Sequence, residues 1–392
     1  MGARGAVRCA GCAVGVAERG RRPPVRLDAT HFMARALTLA ARGLGRTHPN
    51  PAVGAVVVRN GRVVGEGFHH RAGEPHAEVL ALRQAGGRAR GATLFVTLEP
   101  CVHHGRTPPC VGTVLEAGVV RVVVGMVDPD PRVRGRGVRQ LRRAGVEVRT
   151  GVLGDECRHL LRGYLARTTL GRPFVLLKLA SSLDGRIATA TGASRWITGT
   201  GSRRHAHGLR DRFDVVMVGA GTVRTDDPRL TCRLRGGRDP IRVVVDGHLR
   251  TPPTARLLRV RSPAPTWIMT ARDAPRRREA ALVSAGAEVI RLPGRGRVGF
   301  GAVLRELGRR GVTSVLIEGG AVLAAGAMRA RLVDAVSLFI APVVIGGDGV
   351  PAVGSLGVRS LRQAPRVSRL RVQPLGADLL LEATLSLRGS AL

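Results

Sequence analysis

Apolar positions along the chain fall into short runs that switch between helical and strand spacing. Phe32, Leu37 and Ala40 recur at helical spacing after Asp28 or Thr30, either of which suits a helix cap, and Gly43 or Gly45 ends the run. Val-rich segments 52–59 and 62–68 flank Asn60-Gly61, a strong hairpin signal. The pattern then predicts a helix over 75–84, a buried strand over 92–98, a helix over 112–118, a strand over 119–127, a helix over 137–144, a strand over 146–152 and a helix around 155–169. Gly171-Arg172-Pro173 punctuates the chain there. A second series follows, with strands over 174–179, 215–219, 241–246, 266–270, 288–292, 314–317, 336–342 and 379–387. Helices fit 201–212, 274–285, 301–310 and 321–329. Such alternation implies a layered α/β architecture, with a mostly parallel sheet in the second series. Two units are expected, residues 28–171 and 172–392, preceded by a disordered or mis-started tail over 1–27. The length of 392 residues agrees, being about twice a typical domain.

Composition narrows the class. Apolar residues make up 44% of the chain, too many for a disordered one. The longest apolar runs, such as 335–345, stop well short of the about 18 residues a membrane-spanning helix needs, so no membrane partner is expected. The formal charge of +35 comes from 63 basic residues, of which one, Lys178, is lysine. That skew looks like a codon bias acting on exposed positions. Seven Phe, two Trp and one Tyr offer few stacking platforms, which weighs against nucleic-acid binding. Six cysteines in a chain of this length do not form a disulfide scaffold. Cys9-x-x-Cys12 reads as half a zinc site or a redox pair, but no second such pair follows and the tail reading is preferred. Segment 13–17 is too short for a signal peptide, which makes the cytoplasm the expected location.

Chemistry concentrates in three segments: His76-Ala77-Glu78, Pro100-Cys101 and Pro109-Cys110. One imidazole and two thiolates suit a zinc ion that keeps its fourth position for water. Bound zinc brings the pKa of its water from about 15.7 to about 7. Glu78, two residues from a ligand, is placed to move a proton from that water to a leaving amine. H-x-E followed by P-C is the pattern of zinc deaminases, although eight residues, 102–109, separate the cysteines where that pattern ends in C-x-x-C. His103 and His104 compete for the place of the second cysteine. Cys110 ranks above them because thiolates bind zinc better.

These motifs resemble the RibD family of bifunctional riboflavin biosynthesis proteins. Residues 74–78 and 97–110 look like its deaminase half, in which the eight-residue gap is normal, and His48-Pro49-Asn50-Pro51 with Val53-Gly54 match as well. The second half agrees through residues 178–186, 196–198 and 222–228, Glu318-Gly319-Gly320 and Ala341-Pro342. The resemblance implies a cytidine-deaminase-like zinc domain followed by a dihydrofolate-reductase-like α/β domain. It implies Zn2+ and NADPH as cofactors, a small pyrimidine ribotide as substrate, and a homo-oligomer. By it His76, Cys101 and Cys110 hold zinc, Glu78 shuttles protons and Asn50 contacts the pyrimidine. NADPH contacts carry over to Ala180, Trp196, Thr222, Asp226, Gly247 and the turn and helix Gly320, Ala321, Val322, Leu323, Ala324, Ala325 and Gly326. Substrate contacts carry over to Ser194, Arg210, Leu230, Arg233 and Glu318, with Lys178 in the same motif.

Read without the resemblance, the second half gives weaker signals. Glu318-Gly319-Gly320 follows an apolar strand and precedes a helix, where backbone amides can approach a phosphate. No G-x-G-x-x-G is present. Arg210 and Arg233 are candidates for a bidentate grip on the ribose phosphate. Lys178 offers a compact ammonium that arginine cannot replace, or else snorkels from an edge strand. Two other readings stand beside the two-step enzyme: a deaminase of polynucleotide bases, and a structural zinc domain joined to a nucleotide sensor.

Overall fold

In the computed structural model, residues 29–105 and 107–386 are described. The expected tail, the Cys9 and Cys12 pair and the Asp28 cap lie outside them.

The first layer system begins with α1 (Ala29–Ala41), β1 (Gly54–Arg59), β2 (Arg62–Phe68), α2 (Ala77–Ala85), β3 (Thr93–Leu98) and α3 (Cys110–Glu116). It continues with β4 (Arg121–Met126), α4 (Arg136–Arg143), β5 (Glu147–Thr150), α5 (Gly154–Leu160) and α6 (Arg162–Leu170). The strands form one sheet in the order β2-β1-β3-β4-β5. The hairpin forms at Asn60-Gly61, whose φ angles of +50° and +73° suit the twist of the strands they join. β3, β4 and β5 run parallel, so their carboxyl ends share one edge, where open α/β sheets place ligands. α2 lies hard against β2, since a Cβ at Gly65 would sit 2.2 Å from the Ala81 carbonyl oxygen. Met33, Ala36, Leu94, Val122 and Leu141 are fully buried in the core between helices and sheet.

The second system contains β6 (Phe174–Ser182), β7 (Arg186–Ala188), α7 (Thr200–Arg212), β8 (Val215–Gly219), α8 (Ala220–Asp226), β9 (Ile241–Val245) and β10 (Thr266–Ala271). It continues with α9 (Arg276–Ser284), β11 (Glu288–Leu292), α10 (Phe300–Arg309), β12 (Ser314–Glu318), α11 (Ala321–Arg329), β13 (Ala335–Ala341), β14 (Val350–Pro351), β15 (Arg366–Leu375) and β16 (Asp378–Ser386). Nine strands form a sheet in the order β11-β10-β9-β8-β12-β6-β13-β16-β15, while β7 and β14 pair separately. The pairings from β11 across to β13 are parallel, and β16 runs antiparallel to both neighbours. The central strands are mostly apolar because helices cover both faces. Val215 and Met217 pack into one core, Val216 and Val218 into the other.

The structure departs from the expectations in particular places. The helix expected around 155–169 is two helices that meet at Leu161. The helix expected from 112 starts at Cys110, and the strand expected over 119–127 is confined to Arg121–Met126. β15 leaves no burial pattern in the sequence, because as an edge strand it exposes nearly every side chain. α8 buries only Val223 and so carries no helical apolar pattern. β6 lies between β12 and β13, which removes the reading of Lys178 as an edge-strand residue. Among the described residues, no helix is long and apolar enough to cross a membrane.

Candidate functional site

The first site gathers at the carboxyl edge of the first sheet. His76 caps α2 in extended conformation, so its ring leaves the helix axis. Cys101 follows β3, and Cys110 opens α3. His76 Nδ1 lies 3.1 Å from Cys110 Sγ and 3.6 Å from Cys101 Sγ. One donor atom from each of the three residues falls within 4.8 Å of the others, and His103 and His104 are outside the group. The Cys110 N–H donates to Cys101 Sγ at 3.3 Å. The hydrogen bond from the Cys110 thiol, with help from His76 and that N–H, overcomes burial and holds the Cys101 thiol at about 4. The hydrogen bond to Cys101, with burial, raises the pKa of the Cys110 thiol. An imidazole nitrogen turned toward two sulfurs is a donor set that fits zinc, and three protein ligands leave a place for water.

Glu78, one residue inside α2, is 4% exposed. Burial pushes its carboxyl up to about 7, and negative charge on Cys101 adds to the effect. A carboxyl of that strength both accepts and releases protons at neutral pH.

Other side chains of this site had escaped the sequence reading. Thr107 Oγ1 lies 3.2 Å from His76 Nε2, which turns Nδ1 toward the sulfurs. His69 Nδ1 donates to the Pro75 carbonyl at 3.2 Å, so its Nε2 accepts from Asn50 Nδ2 at 3.1 Å. That bond orients the Asn50 amide and leaves Oδ1 as an acceptor for a ligand. Glu99 accepts N–H groups of Asp128, Gly135 and Val138, which ties the segment before Cys101 to the loop after β4. Tyr164 donates to Asp128 at 2.9 Å, and burial pushes the Asp128 carboxyl up to about 6. Asn50, His69, Glu78 and Tyr164 all line one cleft of about 340 Å³ with His76 and Cys101. Tyr164 is the only tyrosine in the sequence, a signal that was available.

The second site lies where the carboxyl end of β12 meets the middle of β6, with Lys178 and Glu318 as cross-strand partners. Arg210 Nε and Nη2 donate to the two oxygens of Glu318 at 2.6 and 2.9 Å, and Nη1 donates to the Thr231 carbonyl at 2.9 Å. Burial acts to raise the Glu318 carboxyl, but the charges of Arg210 and Lys178 and the Arg210 hydrogen bonds hold it at about 2. Burial lowers the Lys178 pKa, and Glu318 opposes that effect. The bidentate edge of Arg210 is therefore turned to Glu318, a correction to its expected bidentate grip on phosphate. Arg233 is the freer cation: its backbone N–H donates to His207 Nδ1 at 3.3 Å, while burial and the charges of Arg210, Arg229 and Arg256 lower its pKa.

Gly319 and Gly320 have φ of +135° and +67°, and a Cβ on either would meet Thr222 side-chain atoms at 3.0–3.1 Å. The glycines bring Thr222 close to the first turn of α11, leaving a cradle with free amides that fits a cofactor phosphate. Within 320–326, Val322 is 82% exposed, whereas Ala324 and Ala325 are fully buried and offer no side chain to a ligand. Leu230 buries its side chain with φ of +56°, leaving its backbone for contact. A Cβ at Gly247 would sit 2.7 Å from the Gly296 carbonyl oxygen. Trp196 is exposed beneath the Arg203 guanidinium at 4.7 Å, and Arg195 donates to the Asp226 carbonyl at 2.5 Å, which joins that segment to α8. Ala180 follows Lys178 on the same face of β6, and Ser194 is partly buried in the loop before Trp196.

A zinc-dependent deaminase unit joined to an α/β reductase unit is the class these two sites define. Residues 27–126 match the cytidine and deoxycytidylate deaminase zinc-binding region, and residues 173–381 match the RibD C-terminal domain. The riboflavin biosynthesis protein RibD of Aquifex aeolicus is 42% identical over 352 residues, covering 90% of this chain and 97% of its own. That of Escherichia coli is 40% identical, covering 90% and 98%. The structure of Acinetobacter baumannii RibD superposes with a TM-score of 0.81 at 38% identity, covering 91% of this chain and 99% of its own. A Thermotoga maritima diaminohydroxyphosphoribosylaminopyrimidine deaminase/5-amino-6-(5-phosphoribosylamino)uracil reductase superposes at 0.80 and 38%, covering 91% and 98%. The chain belongs to the RibD family of riboflavin biosynthesis enzymes, which are deaminases and reductases in one polypeptide. Its fold is a cytidine-deaminase-like domain with a RibD-type reductase domain, and its cofactors are zinc and NADPH. The readings as a polynucleotide deaminase and as a zinc-stabilised sensor fall with that membership.

Proposed function

We propose that the chain removes the 2-amino group of 2,5-diamino-6-ribosylamino-4(3H)-pyrimidinone 5′-phosphate as ammonia and then reduces the ribosyl group to ribityl. In this reading residues 28–171 perform the first step and residues 172–392 the second. His76, Cys101 and Cys110 would hold the zinc ion, which would supply a water acidic enough to attack at neutral pH. Glu78 takes the proton of that water and returns it to the departing amine, so one carboxyl serves twice. Asn50, oriented by His69, accepts a hydrogen bond from the pyrimidine.

NADPH supplies the hydride for the second step. Thr222 and the first turn of α11 would hold its phosphate, and Ala180, Trp196, Asp226 and Gly247 would contact the rest of the cofactor. Glu318 and Lys178 orient the sugar, and the Lys178 ammonium provides the proton that the opening ribose oxygen requires. Arg233, with Ser194 and the Leu230 backbone, takes the substrate phosphate, while Arg210 fixes Glu318.

The convergence of His76, Cys101 and Cys110 beside a buried Glu78 carries this reading. The test follows ammonia release and NADPH oxidation on the diaminopyrimidine phosphate, with and without a chelator. Chelation stops the first step and spares NADPH oxidation on the deaminated intermediate. Ammonia release that survives chelation would overturn the metal assignment. We place the enzyme in the cytoplasm and expect a second copy on the edge strand β15, where Val367, Leu370 and Val372 are more than half exposed. Sedimentation velocity that finds only monomer would refute the pairing.

A further inference from the structure

Residues 43–50 lead from α1 toward β1 and lie against the second unit. Gly45, with φ of +73°, comes so near the end of α7 that a Cβ would sit 2.5 Å from the Asp211 carbonyl oxygen. The next residue, Arg46, donates from Nη2 to Asp211 Oδ1 at 2.9 Å. The same carboxylate oxygen accepts the Arg238 N–H at 2.8 Å, so it is held before Arg46 reaches it. Two residues on, His48 Nδ1 lies 3.5 Å from Asp214 Oδ1. Asp214 is buried, and its other oxygen accepts the N–H and hydroxyl of Thr313 and the N–H of Ser314, which makes it a fixed post at the start of β12. Within the loop, the Asn50 N–H donates to the Thr47 carbonyl at 2.8 Å. The segment that ends in Asn50 is thus fastened to the second unit at Arg46, with His48 set beside Asp214, and to the first unit through His69.

We propose that Arg46 and Asp211 are positioning residues for the deaminase. The reductase unit holds the loop that carries Asn50, so base recognition in the first site depends on the second unit. This rests on the assignment of Asn50 to the pyrimidine.

The test uses the full-length zinc-loaded enzyme. Arg46→Gln raises the KM for ammonia release about three- to tenfold and leaves kcat within about twofold. Its zinc content, and NADPH oxidation on the deaminated intermediate, stay at wild-type values. Arg46→Lys keeps the charge and restores the KM. Asp211→Asn cuts the same link from the other side and raises the KM alike, and it carries the test if Arg46→Gln fails to fold. The double variant is no worse than either single one, because both remove one interaction. A wild-type KM in Arg46→Gln overturns the proposal. So does a fall in kcat at constant KM, or a double variant whose effects add. Asn50→Ala separates the two readings. If it raises the KM while Arg46→Gln does not, only this proposal fails. If it leaves the KM unchanged, the Asn50 assignment fails and takes this one with it.

Discussion

The deaminase and reductase sites are assembled by different means. The metal-ligand donors lie between positions 76 and 110, on a helix cap, a strand end and a helix start of one sheet. The reductase residues range from Lys178 to the start of α11, and a parallel sheet brings their strand ends together. In the first site two sulfurs, an imidazole and a buried carboxyl dominate the electrostatics; in the second, the Arg210–Glu318 ion pair beside Lys178 does. A compact donor set concentrates chemistry in a few irreplaceable side chains. A site spread over strand ends relies on fold geometry and tolerates loss of single contacts better.

The contrast can be broken first at Glu78. Glu78→Gln lowers ammonia release by about 10²- to 10⁴-fold and leaves reduction of the deaminated intermediate intact, as parallel ammonia and NADPH assays would record. Glu318→Gln is next. It leaves buried Arg210 and Lys178 without their counter-charge, costing about 3–5 kcal/mol of stability in denaturant unfolding and impairing only the reductase. The wild-type pH dependence sharpens the same point. Glu318 is held at about 2 when folded, against an ordinary 4.5, so its ionised form stabilises the fold above the ordinary value. That contribution, about 3 kcal/mol, is lost as pH falls through about 2. An acid titration of stability therefore slopes between these values in wild type and is flatter in Glu318→Gln. The smallest effect falls at Gly320→Ala, where the positive-φ, extended backbone costs about 1–3 kcal/mol and the new Cβ meets Thr222. Its NADPH KM rises severalfold, and its deaminase rate is unchanged.

The same contrast explains what was legible in the sequence. His76, Glu78, Cys101 and Cys110 were readable because metal chemistry restricts residue type and spacing together. The hairpin at Asn60-Gly61 and the strand Glu288–Leu292 were readable from turn chemistry and apolar periodicity. Thr107, His69 and Glu99 were not, because a hydrogen bond to a ligand's far nitrogen or to backbone amides leaves no local pattern. β15 was hidden because its only sheet partner is β16 and its side chains face outward. The fork of Arg210 could not be assigned among so many arginines until Glu318 was seen opposite it.

The place of β6 has a consequence during synthesis. It is the first strand of the nine-stranded sheet to leave the ribosome, yet its neighbours are β12 and β13, and β12 begins about 140 residues later. At about 5–20 residues per second, this nearly continuous apolar strand waits roughly 7–28 s for a partner. The deaminase half, whose strands pair with near neighbours in the chain, is complete by then and can fold ahead of it. The nascent enzyme therefore passes through a stage with a finished first half trailing an unpaired sticky strand, the point at which chaperone capture or aggregation would act.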